Sequence, residues 1–205
     1  KNLFINKAYG AQPITMEAML EYLGTYGERL KPHVTNVSAF LEKAIDEGKN
    51  VMFEAQLGAL RDIDFGINPY TSSSNTIAAY APIGAGIPNR KLDRVIGIMK
   101  AYSSCVGEGP FTVEWFGKEA EELRKAGGEY GAATGRPRRV GPFDAVASRY
   151  AVFAQGADTL ALTKMDVLSY MDKIPVCVAY DINGERTTEF PRGVRLDEAK
   201  PVYEY

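Results

Sequence analysis

Residues 127–139 read GGEYGAATGRPRR, a run of small residues that leads into Arg136, Arg138 and Arg139. A guanidinium presents a planar fork that grips a carboxylate or phosphate through paired hydrogen bonds. Glycine lets backbone amides approach the same anion where a Cβ would clash. The stretch has the composition of an anion-gripping loop, and a solvated basic turn is the plainer alternative. A second cluster, Ser72, Ser73, Ser74, Asn75 and Thr76, offers hydroxyls to a phosphate or, equally, to its own turn backbone. A third, LTKMDVL at 162–168, puts an acid just past a strand. There a carboxylate can accept the ring N–H and exocyclic amine of guanine, while Lys164 lays its aliphatic stem along the base. An ordinary surface lysine and aspartate would have the same spelling.

Other residues that could carry chemistry have plainer readings. Asp62 and Asp64 lie two apart, a spacing that suits a metal or an acid–base pair in an extended segment, but solvated loop carboxylates are the expectation. His33, the only histidine, follows Lys31-Pro32 and is expected on an exposed helical surface. The string DEGKN at 46–50 contains the letters of a phosphate loop. Such a loop needs a glycine-rich turn that leaves a strand and enters a helix, whereas this string leaves a helix, with Gly48 as its terminator. No G-x-x-x-x-G-K-[ST] pattern occurs in the 205 residues. Trp115 is expected to serve packing.

The elements that must position these residues follow from periodicity. Met16, Met19, Leu20 and Leu23 recur at helical spacing, as do Val37, Phe40, Leu41, Ala44 and Ile45, with Pro32 between the two helices. VMFEA at 51–55 reads as a short buried strand. LDRVIGIMKAY at 92–102 puts Leu92, Val95, Ile96 and Met99 on one helical face. A charged helix at 117–128 ends on two glycines, and a helix over 143–156 has Asp144 near its positive end. The strand TLALTK precedes the lysine–aspartate motif. Residues 174–190 form two strands around Asn183-Gly184, a hairpin signal. The expected fold is α/β, a mainly parallel sheet flanked by helices with a terminal antiparallel hairpin.

Composition bounds the function. With 45% hydrophobic and 24% charged residues the chain has the make-up of a packed globular protein, and a net charge of −2 gives no general attraction to nucleic acid or anionic lipid. Cys105 and Cys177 form neither a metal-ligand spacing nor a disulfide framework and are expected to pack as small apolar residues. No apolar run approaches the ~20 residues needed to cross a bilayer, and KNLFINKAYG lacks a secretory core. A cytoplasmic protein is the expectation. The missing initial methionine and the strand-like last residues PVYEY lead to the expectation of a fragment.

Four stretches in register, FEAQLGALRDIDFGINPYTSSSNT at 53–76, KAYSSCVGEGPFTVE at 100–114, the arginine stretch and LTKMDVL, resemble adenylosuccinate synthetase. The resemblance runs from about Tyr26 to Tyr205. It implies a P-loop-NTPase-like fold, truncated, in which 1–205 is the central part of one domain: a helical segment at 1–50 and a substrate- and guanine-binding part at 51–205. It implies a GTP-dependent ligase that joins IMP and L-aspartate into adenylosuccinate in purine biosynthesis, with GTP as co-substrate and Mg2+ bridging the phosphates. On this resemblance Ala132, Ala133, Thr134, Gly135, Arg136, Pro137 and Arg138 form the loop over L-aspartate. Gln56, Ser72, Val106 and Arg136 bind IMP, and Arg138, Lys164, Met165 and Asp166 bind GTP. Ala133 and Pro137 depart from the family pattern, and the AQLG spelling puts Leu57 where the family has its glutamine. The catalytic aspartate, the histidine, the phosphate loop and the Mg2+ ligands have no counterpart in this sequence, so the chain alone is expected to be inactive. The partners implied are the three small molecules and a second copy of the chain, with neither nucleic acid nor membrane. Two further readings are a non-catalytic guanine-nucleotide-binding module and an anion or nucleic-acid binder built on Arg136, Arg138 and Arg139.

Overall fold

The computed structural model describes residues 1–191 and 193–205. It divides into two compact units, Lys1–Val51 and Met52–Tyr205. The first is helical: α1 (Asn2–Tyr9), α2 (Met16–Leu30) and α3 (Val37–Asp46). Each start has a local reason. The Thr15 hydroxyl accepts from the Ala18 amide at 3.1 Å, and the Asn36 side chain accepts from the Ala39 amide at 3.1 Å. Asn2 brackets Ile14 through both its amide groups, which ties α1 to the start of α2. Pro32 lies in a 3₁₀ turn that ends α2, and Gly48, at φ +75°, closes α3. DEGKN is thus a helix end. None of the three helices buries a residue.

The second unit is α/β, with eight short strands and three α-helices among the described residues. β1 (Ile96–Lys100) pairs in parallel with β5 (Thr159–Thr163), and β2 (Ser103–Cys105) pairs antiparallel with β3 (Arg139–Gly141). β6 (Val176–Ile182) is the centre of a third sheet. It takes β4 (Phe143–Asp144) in parallel, and β7 (Glu185–Thr187) and β8 (Lys200–Glu204) antiparallel. The expected single, mainly parallel sheet is therefore corrected to three small sheets of mixed direction. The helices are α4 (Ala81–Gly84), α5 (Gly117–Gly127) and α6 (Ala145–Gln155). One core gathers Tyr102, Leu123, Val140 and Leu168, with Trp115 packed against it; the other gathers Val113, Val146, Cys177 and Tyr180.

Two local expectations are overturned. Residues 96–100 form a strand, not a helix. Short apolar runs fit both periods, and here parallel pairing with β5 decides: a Cβ at Gly97 would lie 2.9 Å from a Leu160 methyl, so the bare glycine face seats the partner strand. Residues 51–55 form no strand, since no strand among the described residues pairs with them. The Asn183-Gly184 turn does join β6 to β7, with Asn183 at φ +55° and Gly184 at φ +88° as a two-residue hairpin turn requires.

Candidate functional site

The arginine stretch is a small hairpin raised on the end of α5. Gly128 stops the helix in the left-handed region, and the Glu129 amide donates back to the Arg124 carbonyl at 2.9 Å. The chain then doubles back. The Arg138 amide donates to the Glu129 carbonyl at 3.0 Å and the Gly131 amide to the Arg136 carbonyl at 2.9 Å. Tyr130 and Pro137 face each other between those two bonds. In an antiparallel pair such a position uses no backbone hydrogen bonds, so the amide that proline lacks is not needed there. At the tip the Gly135 amide donates to the Gly131 carbonyl at 2.8 Å, and the Thr134 hydroxyl accepts from the Arg136 amide at 3.3 Å. Ala132 to Gly135 are all exposed.

The three arginines of this hairpin have separate surroundings. Arg136 is exposed, and its guanidinium has no hydrogen bond or ion pair among the described residues. Arg138 is half-buried and donates from Nη1 to Glu129 Oε2 at 3.1 Å. Arg139, on β3, forks onto the Glu114 carboxylate and donates to the carbonyls of Gly107 at 3.2 Å and Gly109 at 2.8 Å. Its guanidinium also lies 5.4 Å over the Phe111 ring. Hydrogen bonding to Glu114 raises its pKa further. Arg139 is thus a brace for the 107–109 loop.

Glu129 is the hub behind Arg138. It is 2% exposed and also accepts from Lys100 Nζ at 2.7 Å and from the Tyr102 hydroxyl at 2.5 Å, both on Oε1. Gly127 makes room for that hydroxyl, since a Cβ there would lie 2.5 Å from it. Burial alone would raise the Glu129 pKa, but the bonds from Lys100 and Tyr102 and the charges of Lys100 and Arg138 hold it below the usual carboxylate value. Burial and the same carboxylate push the Tyr102 phenol up; the charges of Arg138 and Asp166 both reach it.

Lys164 follows β5 in the left-handed conformation, φ +61°, and opens the 3₁₀ turn Met165–Leu168. Val167 and Leu168 are buried in the core, and that anchoring leaves Lys164, Met165 and Asp166 exposed. The Lys164 ammonium donates to the Gly127 carbonyl at 3.2 Å. Beside it an apolar cleft is lined by Phe143, Leu162, Met165, Leu168, Ile174 and Val176. Arg138 and Lys164 thus lie beside the Glu129 hub and its neighbour Gly127, although α6 separates them in sequence, and Asp166 follows Lys164 in the same 3₁₀ turn.

A second group forms around Arg61, which sequence reasoning missed. Its guanidinium donates to the carbonyls of Tyr70 at 2.5 Å, Val106 at 3.0 Å and Glu108 at 3.1 Å, and to Cys105 Sγ at 2.9 Å. Its own carbonyl accepts from the Ser72 amide at 2.8 Å. Ser72 and Val106 are thereby held on one arginine, the first by its carbonyl and the second by its guanidinium. The Ser72 hydroxyl bonds within its own turn, to the Ser74 carbonyl and amide, each at 3.1 Å. Gln56 is exposed, and the backbone beyond it is turned over, with Leu57 at φ +69° and Gly58 at φ +85°. Neither Gln56 nor Arg136 makes a side-chain hydrogen bond to either group among the described residues.

Asp62 was expected in solvent and is fully buried. Its carboxylate accepts from the amides of Asp64 and Phe65 at 2.9 Å, Thr76 at 2.5 Å and Ile77 at 3.3 Å. Burial would raise its pKa, and these four donors together lower it. The side chain closes the 62–77 loop that carries Ser72. Gln155 of α6 pins the same loop, accepting from the Ala78 amide at 2.7 Å and donating to the Thr76 carbonyl at 3.1 Å. Cys177 packs in the core as expected, while half-buried Cys105 takes the Arg61 bond instead. Magnesium takes near-octahedral oxygen ligands. Among the described residues no three His, Cys, Asp or Glu side chains are grouped to hold an ion by themselves.

The fold and these two groups define an α/β protein with arginine and lysine side chains gathered at two places. The family model described as adenylosuccinate synthetase matches residues 1–205, and the chain belongs to that family. Among its relatives, the adenylosuccinate synthetase of Bifidobacterium adolescentis is 48% identical over 100% of this chain and 48% of its own length. That of Synechococcus elongatus is 48% identical over 99% of this chain and 46% of its own. The structure of fully ligated adenylosuccinate synthetase from Plasmodium falciparum covers 97% of this chain with a TM-score of 0.87 at 34% identity, over 48% of that protein. The chain thus spans about half the length of the relatives it matches.

Proposed function

We propose that this chain supplies the guanine-reading, aspartate-gripping and part of the IMP-binding surface of a GTP-dependent ligase that forms adenylosuccinate. One observation carries the reading: Arg138 bonds to Glu129 and Lys164 to the carbonyl of Gly127, which brings the arginine hairpin beside the turn that carries Asp166. The similarity to the fully ligated adenylosuccinate synthetase of Plasmodium falciparum supports it. In the reaction, the 6-oxygen of IMP takes the γ-phosphate of GTP, and the amine of L-aspartate then displaces that phosphate. The carboxylate of Asp166 accepts from the ring N–H and amine of guanine, with Lys164 and Met165 against the base. Ala132 to Arg138 close over L-aspartate. Thr134 donates to it, and Arg136 and Arg138 grip carboxylates, with Arg138 also reaching GTP and Arg136 also reaching IMP. Gln56, Ser72 and Val106 complete the IMP surface, the last two held by Arg61.

On this reading the chain is part of a P-loop-NTPase-like fold, and Mg2+ acts on phosphates held elsewhere than on these residues. The 205-residue polypeptide binds and orients without turning over, acts as a homo-oligomer, has no nucleic-acid partner and works in the cytoplasm. The test is a titration of the polypeptide with GDP and with ADP, before and after Asp166→Asn. The expected result is a GDP preference of about ten-fold that the substitution abolishes. Equal binding of the two nucleotides to the unsubstituted chain, or adenylosuccinate formed by the chain alone from IMP, GTP, Mg2+ and L-aspartate, would overturn the reading.

A further inference from the structure

We infer that Glu129 is a positioning residue, whose buried carboxylate sets where the Arg138 guanidinium points and so where a ligand carboxylate can sit. The inference rests on the reading that Arg138 grips the carboxylate of L-aspartate. Glu129 holds Arg138 twice: its carbonyl accepts from the Arg138 amide at 3.0 Å, and its Oε2 accepts from Nη1 at 3.1 Å. The Arg138 carbonyl is held in turn by Arg124 Nε at 2.9 Å. The base and the tip of the side chain are thus both fixed. Arg138 Nε is buried and has no hydrogen-bond partner among the described residues. The donors left for an incoming carboxylate are therefore at the Nη end, which Glu129 orients.

Glu129 itself cannot swing away. Its other oxygen is shared by Lys100 and Tyr102, at 2.7 Å and 2.5 Å, and the carboxylate is 2% exposed. A long side chain frozen before the ligand arrives spares binding the rotamer entropy it would otherwise cost. Charge alone makes the opposite prediction. Lys100 and Arg138 carry two positive charges and Glu129 one negative, so neutralising Glu129 leaves the locality more positive. A role limited to electrostatics would then tighten anion binding on Glu129→Gln, whereas a positioning role loosens it.

The experiment uses the protein as its own gene produces it, with steady-state kinetics on Glu129→Gln, Tyr102→Phe, Arg138→Ala and the double variant E129Q/R138A. Glu129→Gln is expected to raise KM for L-aspartate about ten-fold, and to leave KM for IMP within about two-fold. In the Arg138→Ala background it should add nothing further. Tyr102→Phe removes one donor to Glu129 without changing any charge and should move the same KM in the same direction by less. An unchanged or lowered aspartate KM in Glu129→Gln, with Arg138→Ala impaired, would overturn the inference and leave the reading of Arg138 standing. An unchanged aspartate KM in Arg138→Ala, or no adenylosuccinate from the unsubstituted protein, removes that reading and the inference with it. Should Glu129→Gln fail to fold, an unchanged aspartate KM in Tyr102→Phe is the overturning result.

Discussion

Arg136, Arg138 and Arg139 have the same side chain and three different tasks, because their neighbours differ. Arg139 spends its fork on Glu114 and two carbonyls, Arg138 shares its guanidinium with Glu129, and Arg136 stays in solvent. The spelling GRPRR contains none of this, since Glu114 lies 25 residues away in sequence. Arg61 was missed for the same reason, as its partners Cys105, Val106 and Glu108 lie 44, 45 and 47 residues away. Gly127 offers a test of the packing behind Glu129. Glycine to alanine inside a helix ordinarily stabilises by up to about 1 kcal/mol. Here the added methyl would meet the Tyr102 hydroxyl, so Gly127→Ala is expected to destabilise by about 1–3 kcal/mol in urea denaturation. A stabilised variant would show that the hydroxyl has another seat.

The elements around the site are held by buried carboxylates whose surroundings push them in opposite directions. Glu129 is held low by its cationic partners. Asp144 caps α6, accepting from the amides of Val146 and Ala147 at 3.0 Å and from the Tyr180 hydroxyl at 2.5 Å. Burial dominates there, and its pKa is raised. Burial and the Asp144 charge also push the Cys177 thiol up to about 12. A carboxyl whose pKa is raised in the folded state favours folding below its unfolded value, 3.8, and loses that contribution as pH rises through the folded value. Asn caps as well as Asp. Asp144→Asn should therefore gain stability relative to the parent as pH rises from below 3.8 toward neutrality, read by thermal melts across pH. Asp144→Ala should lose about 1–3 kcal/mol below pH 3.8, from the lost cap and the orphaned Tyr180 hydroxyl, and less as pH rises. A difference between the Asn variant and the parent that does not change with pH would refute the burial account.

Across the whole molecule, apolar surface is unevenly distributed. The unit Lys1–Val51 buries no residue in its helices, with Leu20 61% and Phe40 65% exposed. In the unit Met52–Tyr205, β1 and β5 form a two-stranded sheet with both outer edges unpaired among the described residues. Apolar stripes and open strand edges of this kind drive association in water. The chain is expected to self-associate in light scattering, increasingly so at higher concentration, and a clean monomer at high concentration would contradict this. No helix among the described residues is long and apolar enough to cross a membrane.

Sequence by itself determined what short-range physics controls. The helices over 16–30 and 37–46 follow from their apolar stripes and caps, α6 from Asp144, and the β6–β7 turn from Asn183-Gly184. Motif order likewise led to the family. Tertiary structure alone decided the rest: that 96–100 is a strand, because β5 lies beside it; that 51–55 is not, because nothing pairs with it; and that Asp62 and Glu129 are buried hubs. The physical reason is the same in each case. A cap or turn finds its partner within a few residues, whereas a strand pair or a buried carboxylate is set by partners tens of residues away, which only the folded chain brings into contact.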